Sequence, residues 1–398
     1  MLLVAFVTVP AAADRAGIPL VSSGLFGQSA ATLAGLREME GEEVQFGRSG
    51  VAAATDLVGH APLRPNSVSL LAVLLAQEGE GEKAAQAFAV AAGLGWRNVP
   101  SQAWAVDQAL SAGEASIAAT RMEALLRAAP ESPVTAAMLD AVSADPDARA
   151  HLATAMGRGE DWPMATLAGL GGDSQSDETP LPQEQLAPRL ALLKAARKAG
   201  FSPEMRRARA RTQALYDNDA DRAWAVWTAL VGPGDSAQSG LWDTGFDAIG
   251  RDSSSGASPF EWRRAGTARA KLSRAPVDEA KDGDDDHTGG AMSRLIVNGS
   301  DALAQTVAGA IVIPEPGRYA LTWRASRMQS GAPALTLQPA CTRPAGGLEV
   351  GPIADRGEES GMLVIIPESC AAIDVRVFAP SQGGTERWLS DPALRRVD

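Results

Sequence analysis

Histidine, cysteine and positive charge are all scarce in this chain, and each scarcity removes a class of chemistry. Three histidines, His60, His151 and His287, fall in separate segments without metal-ligand spacing. His60 sits beside Pro62 and reads as a helix-end residue. The two cysteines, Cys341 and Cys370, have no histidine near them and cannot make a zinc site alone. A Gly-x-Ser-x-Gly elbow, a phosphate-cradling glycine loop and a His-Glu-x-x-His helix are all missing. Against 48 Asp and Glu stand 36 Lys and Arg, a net charge of −12. A nucleic-acid binder needs clustered cations to displace phosphate counterions, so no nucleic-acid partner is expected. The one basic run, Arg206, Arg207, Arg209 and Arg211, reads as a solvated helix face, with an anionic partner as the alternative. Beyond the N-terminus nothing approaches the ~20 uninterrupted apolar residues of a membrane span, and none is expected.

What is present is a globular composition, 45% hydrophobic and 21% charged over 398 residues, which allows two or three domains with separate cores. Residues 1–13 are an apolar run closed by Ala11, Ala12 and Ala13. They are expected to be the latter part of a secretory signal whose basic start is missing, a short apolar tail being the alternative. Residues 14–50 read as a lead-in. In an exported protein, an isolated pair such as Cys341 and Cys370 is expected to form a disulfide across a β-domain, two buried thiols being the alternative. Both features point to the periplasm or cell envelope.

Residues 51–232 read as helical, with Ala abundant and apolar residues returning every three or four positions. Gly79, Ala84, Phe88 and Ala91 recur as Gly113, Ala118, Met122 and Leu125, each pair 34 residues apart. Glycine breaks one helix from its antiparallel partner, and Ala72, Ala84 and Ala118 leave room where backbones cross. Residues 51–60 look like half of an earlier, worn repeat. After Pro130 the rhythm is interrupted, and further helices are expected over 184–200, 203–216 and 221–231, the last docking through Trp224 and Trp227. Over residues 51–130 this pattern resembles the tetratricopeptide-repeat family. The resemblance implies a solenoid of helix pairs whose groove holds a protein partner.

Gly232, Pro233 and Gly234 punctuate the chain, and beyond them the period falls to two: Tyr319, Leu321 and Trp323 alternate with polar or small residues, as do Ile373, Val375 and Val377. Residues 236–398 therefore read as an all-β module, a two-sheet sandwich. Trp262 and Trp323 are candidate sugar platforms, because pyranose rings stack on flat aromatic faces, with Arg324 and Arg327 as polar neighbours for an acidic glycan. The alternative is that both tryptophans fill the core, since Trp323 shares a face with Tyr319 and Leu321. The segments 241–247, 259–262, 313–319 and 388–394 resemble the strands and turns of a carbohydrate-binding-module jelly roll. That resemblance implies a structural calcium near Asp247 and Asp391, and no other cofactor is expected. The acidic stretch 282–286 reads as a solvated loop rather than a calcium site.

The expected fold is thus an N-terminal α-helical tetratricopeptide-like solenoid followed by a C-terminal antiparallel β-sandwich of jelly-roll type. The whole arrangement resembles repeat proteins that accompany exopolysaccharide clusters of alphaproteobacteria. The expected function is a non-catalytic scaffold or adaptor in the periplasm or envelope, with a protein in the helical groove and the β-module on glycan or a neighbouring subunit. A lectin-like polysaccharide binder is the first alternative and a polysaccharide-modifying enzyme the second.

Overall fold

The computed structural model describes residues 48–159, 162–167, 183–234, 240–249, 258–265, 271–276, 293–298, 304–343, 345–346, 348–352, 354–381 and 386–397. The signal-like run, the lead-in up to residue 47 and the acidic stretch 282–286 lie outside them. The chain forms two compact units, the first running to Leu170 and resuming at Leu181–Phe201, the second taking Gly171–Pro180 and Ser202–Asp398.

The first unit is helical: α1 (Arg48–His60), α2 (Pro65–Gln77), α3 (Gly81–Leu94), α4 (Val99–Ser111), α5 (Ala115–Ala128), α6 (Pro133–Ala144), α7 (Pro146–Met156), a 3-10 turn (Trp162–Leu167) and α8 (Gln183–Lys198). Helices α2, α4 and α6 begin at 65, 99 and 133, so the 34-residue step seen between the first two pairs continues into a third. Each opens with proline in its first turn, where the missing N–H costs nothing and the fixed φ already suits a helix. Asn98 caps α4, accepting from the Ser101 N–H at 3.0 Å while its own amide donates to Asn66 Oδ1 and Ser69 Oγ at 2.8 and 2.9 Å. One side chain thus starts α4 and ties it to α2.

The corners of the first two pairs are built alike. Gly79 and Gly113 take φ of +80° and +72°, and the following N–H groups of Glu80 and Glu114 reach back to Leu75 O and Ala109 O. This is the left-handed glycine stop that satisfies the last carbonyls of a helix. Ala72, Ala84, Phe88, Ala118 and Met122 are all buried, as small or well-fitted residues at crossing points must be. The third pair has no such glycine. Asp145 ends α6 and also caps α7, accepting from the Ala148 N–H at 2.8 Å. This different corner chemistry is why the rhythm is hard to follow in sequence after Pro130.

Among the described residues the second unit has two helices, α9 (Met205–Asn218) and α10 (Ala220–Val231), followed by twelve strands. These are β1 (Arg263–Arg264), β2 (Lys271–Pro276), β3 (Ser293–Asn298), β4 (Gln305–Val312), β5 (Gly317–Ala325) and β6 (Thr336–Arg343). Then come β7 (Ala345–Gly346), β8 (Glu349–Val350), β9 (Ala354–Arg356), β10 (Glu359–Ile366), β11 (Ala372–Ala379) and β12 (Arg387–Arg396). One sheet runs β1-β4-β11-β6-β7 and the other β2-β3-β12-β5-β10-β8, with β9 also on β10, and every pairing is antiparallel. The alternating residues meet between the sheets: Tyr319, Leu321 and Trp323 from β5, and Ile373, Val375 and Val377 from β11. Cys341 of β6 is disulfide-bonded to Cys370, just before β11, as the isolated pair led us to expect.

The units part at Phe201/Ser202, ahead of the Gly232–Gly234 punctuation, because α9 and α10 bury their faces within the second unit. Tyr216 and Trp224 each meet the Phe260 ring edge-on, and Trp227 packs on Trp242 at 5.0 Å. Arg209 makes a two-pronged bond to Glu261, both contacts 2.8 Å and both side chains buried. The basic run therefore does not act as one solvated face: Arg206 and Arg207 pair with Glu204 outside, while Arg209 is an internal clasp.

Candidate functional site

The two tryptophans proposed as sugar platforms are core residues. Trp262 and Trp323 are each 1% exposed, so neither ring offers a face to a ligand. Trp262 packs on Phe246 at 5.0 Å, and the Trp323 indole N–H donates to Leu335 O at 3.1 Å. Strand alternation decided the point, since Trp323 lies in line with Tyr319 and Leu321 on the inward side of β5. Arg324, one position on, faces outward and pairs with Glu358 at 3.0 Å. Arg327 lies past the end of β5 and donates to Glu359 O at 2.8 Å.

The outward face of the β2-β3-β12-β5 strands carries the features sought at those tryptophans. Leu295, Val297, Leu389, Leu394 and Leu321 point into the core, so their strand neighbours point away. Pairing aligns Trp388 with Ile296, Ser390 with Arg324, and Arg395 with Ala320. Trp388 is half-buried there, with the Arg294 guanidinium 5.9 Å from its ring centre. Lys271, Arg294, Arg318 and Arg395 share this face and make no ion pair among the described residues. Carboxylates sit at its margin, Glu359 on β10 and Glu349 on β8. Sequence reasoning passed over Trp388, although its signal was present: alternation from the inward Leu389 places it outside. A bulge between Ser390 and Ala393 breaks the period further along and hides Leu394 as its inward partner.

That bulge also accounts for Asp391, which takes φ of +53° beside Pro392 and accepts from Ser390 Oγ at 2.8 Å. Asp247 pairs with Arg274 at 2.7 Å. The two carboxylates named for calcium thus have separate partners from the chain itself. Among the described residues no three His, Cys, Asp or Glu side chains gather as a metal site.

No protein-family model and no curated protein matches this chain.

One carboxyl is strongly perturbed. Burial pushes Asp243 up to about 6, and the nearby Asp247 and Glu261 carboxylates push the same way. The backbone N–H groups of Asp247 and Ala248 bond it and oppose the rise. The side chain is shut into the turn leading to Phe246, which seats that ring in the core. Burial and a structural role explain the shift without a reacting partner.

In the helical unit, Trp104 stacks on Phe88 at 5.8 Å. Large apolar side chains stand in solvent at Leu63, Val90, Trp96 and Ile117, and the Arg121 guanidinium covers Trp96 at 4.1 Å. A hollow of about 450 Å³ opens at the start of α5 and α7, lined by Glu114, Ile117, Asp147 and His151 among others. The sequence named the residues that hold the helix pairs together but not these outward ones, which obey no repeat.

Proposed function

We propose that this protein is a non-catalytic scaffold of the cell envelope whose β-sandwich contacts an anionic polysaccharide and whose helix pairs contact a protein. The observation that carries the glycan reading is the outward sheet face. A half-buried Trp388 has the Arg294 guanidinium 5.9 Å from its ring centre, and Lys271, Arg318 and Arg395 lie elsewhere on the same face, all four without ion-pair partners among the described residues, in a chain of net charge −12. Such a face suits a sugar ring on the indole and acidic substituents on the cations. The protein-binding reading is supported by the 34-residue helix pairs, which are similar to tetratricopeptide repeats, and by the exposed apolar residues they present. The disulfide agrees with an exported protein.

Affinity electrophoresis of the full chain in gels cast with acidic and neutral polysaccharide tests the first half. Retardation by the acidic polymer that is lost in Trp388→Ala and weakened in Arg294→Gln supports the proposal. Equal mobility in all gels overturns the glycan role.

A further inference from the structure

Among the described residues three arginines are buried, and they do not have equal company. Arg189, 1% exposed, pairs with Asp140 at 2.6 Å and donates to Ala136 O and Thr166 O. Arg209, 7% exposed, has the two-pronged bond to Glu261. Arg387, 5% exposed, has no carboxylate partner: its Nη1 donates to Pro380 O at 3.0 Å, and its buried Nε finds no acceptor. A guanidinium carries five N–H donors in a flat fork that fits two oxygens of a carboxylate, sulfate or phosphate group. A charge taken out of water without a counter-charge is strongly unfavourable, which is why the other two are paired. Burial lowers the Arg387 pKa.

We propose that Arg387 is an oxyanion-binding position at the rim of the sandwich. It is the first residue of β12, it pairs with Val297 near the end of β3, and Pro380 directly follows β11. The guanidinium therefore sits where both sheets end. This position is distinct from the Trp388 face, because adjacent residues of a strand point to opposite sides. Its occupant is an oxyanion, either a free ion or an acidic substituent of a polymer.

Thermal unfolding of the full chain tests this at fixed ionic strength, in sodium chloride against sodium acetate, sulfate and phosphate, and separately with polygalacturonate. Acetate, sulfate or phosphate at about a hundredfold excess over its Kd should raise the wild-type Tm on the order of 5 °C above chloride. Arg387→Met should lose that rise and melt above wild type in chloride, since it removes an unpaired buried charge. Arg387→Lys, a point charge without the fork, should keep less than half of the rise and decides the matter should Arg387→Met not fold. A rise with small ions marks a free-ion site, and a rise with polygalacturonate alone marks a polymer substituent. Trp388→Ala should keep the Arg387-dependent shift even where it loses retardation in gels, which separates this inference from the glycan reading. An identical wild-type Tm in all media, or a full rise retained by the folded Met variant or by the Lys variant, overturns it.

Discussion

Asp243 is a carboxyl that its buried surroundings make a weaker acid. With the folded pKa raised from 3.8 to about 6, the native state binds the proton more tightly than the unfolded chain. The stability this contributes is complete below about pH 4 and is lost as pH rises through 6. Asp243→Asn, which cannot ionise, should unfold in urea with little change at pH 4 and gain on the order of 2 kcal/mol over wild type at pH 8. The Arg209–Glu261 clasp should behave differently. Glu261→Gln leaves a buried guanidinium with a neutral partner and should cost about 3 kcal/mol, whereas Arg209→Met with Glu261→Leu should recover most of it. At this scale the candidate site was only partly legible in the sequence. The sequence marked Trp262, Trp323 and the Arg206–Arg211 run as notable, but burial turned the tryptophans inward and made one of four arginines internal.

At the level of elements, the 34-residue period rests on two local devices that can each be broken. Gly79 and Gly113 use positive φ, and neither would meet a neighbouring atom on gaining a Cβ. Alanine at either site should therefore cost only the backbone strain, about 1 kcal/mol in urea unfolding. Ala118 is fully buried at a helix crossing, and Ala118→Leu should cost about 1–3 kcal/mol by overpacking, with loss of cooperativity in the first unit. The helices and strands themselves were well legible, because period 3.6 and period 2 are written directly in apolar spacing. The third helix pair was not legible as a repeat, since an Asp145–Pro146 corner replaces the glycine by which the first two are recognised.

For the whole molecule, the disulfide and the division into units matter most. Cys341 and Cys370 are 29 residues apart in sequence, and removing a cross-link over such a loop costs about 3–4 kcal/mol. Cys341→Ser with Cys370→Ser should lower the denaturant midpoint of the second unit and leave that of the first unchanged. Two resolved unfolding transitions, one sensitive to reductant, would be the expected result for units with separate cores. The division itself also sets which fragments fold. A piece starting at Ser202 keeps Tyr216, Trp224 and Trp227 against Phe260 and Trp242, whereas one starting at residue 236 exposes those rings and should aggregate or bind a hydrophobic dye.

By itself the amino-acid sequence determined the order of helices and then strands, the first two 34-residue pairs, the cysteine pair and the inward sets of β5 and β11. All of these follow from spacing, which acts over a few residues. Tertiary structure alone decided where α9 and α10 belong and which buried arginines have a carboxylate. Those outcomes depend on residues brought together across 52 positions, as for Arg209 and Glu261, or left alone, as for Arg387. No local period encodes such meetings, because they are settled by which faces of separate elements find one another when the core closes.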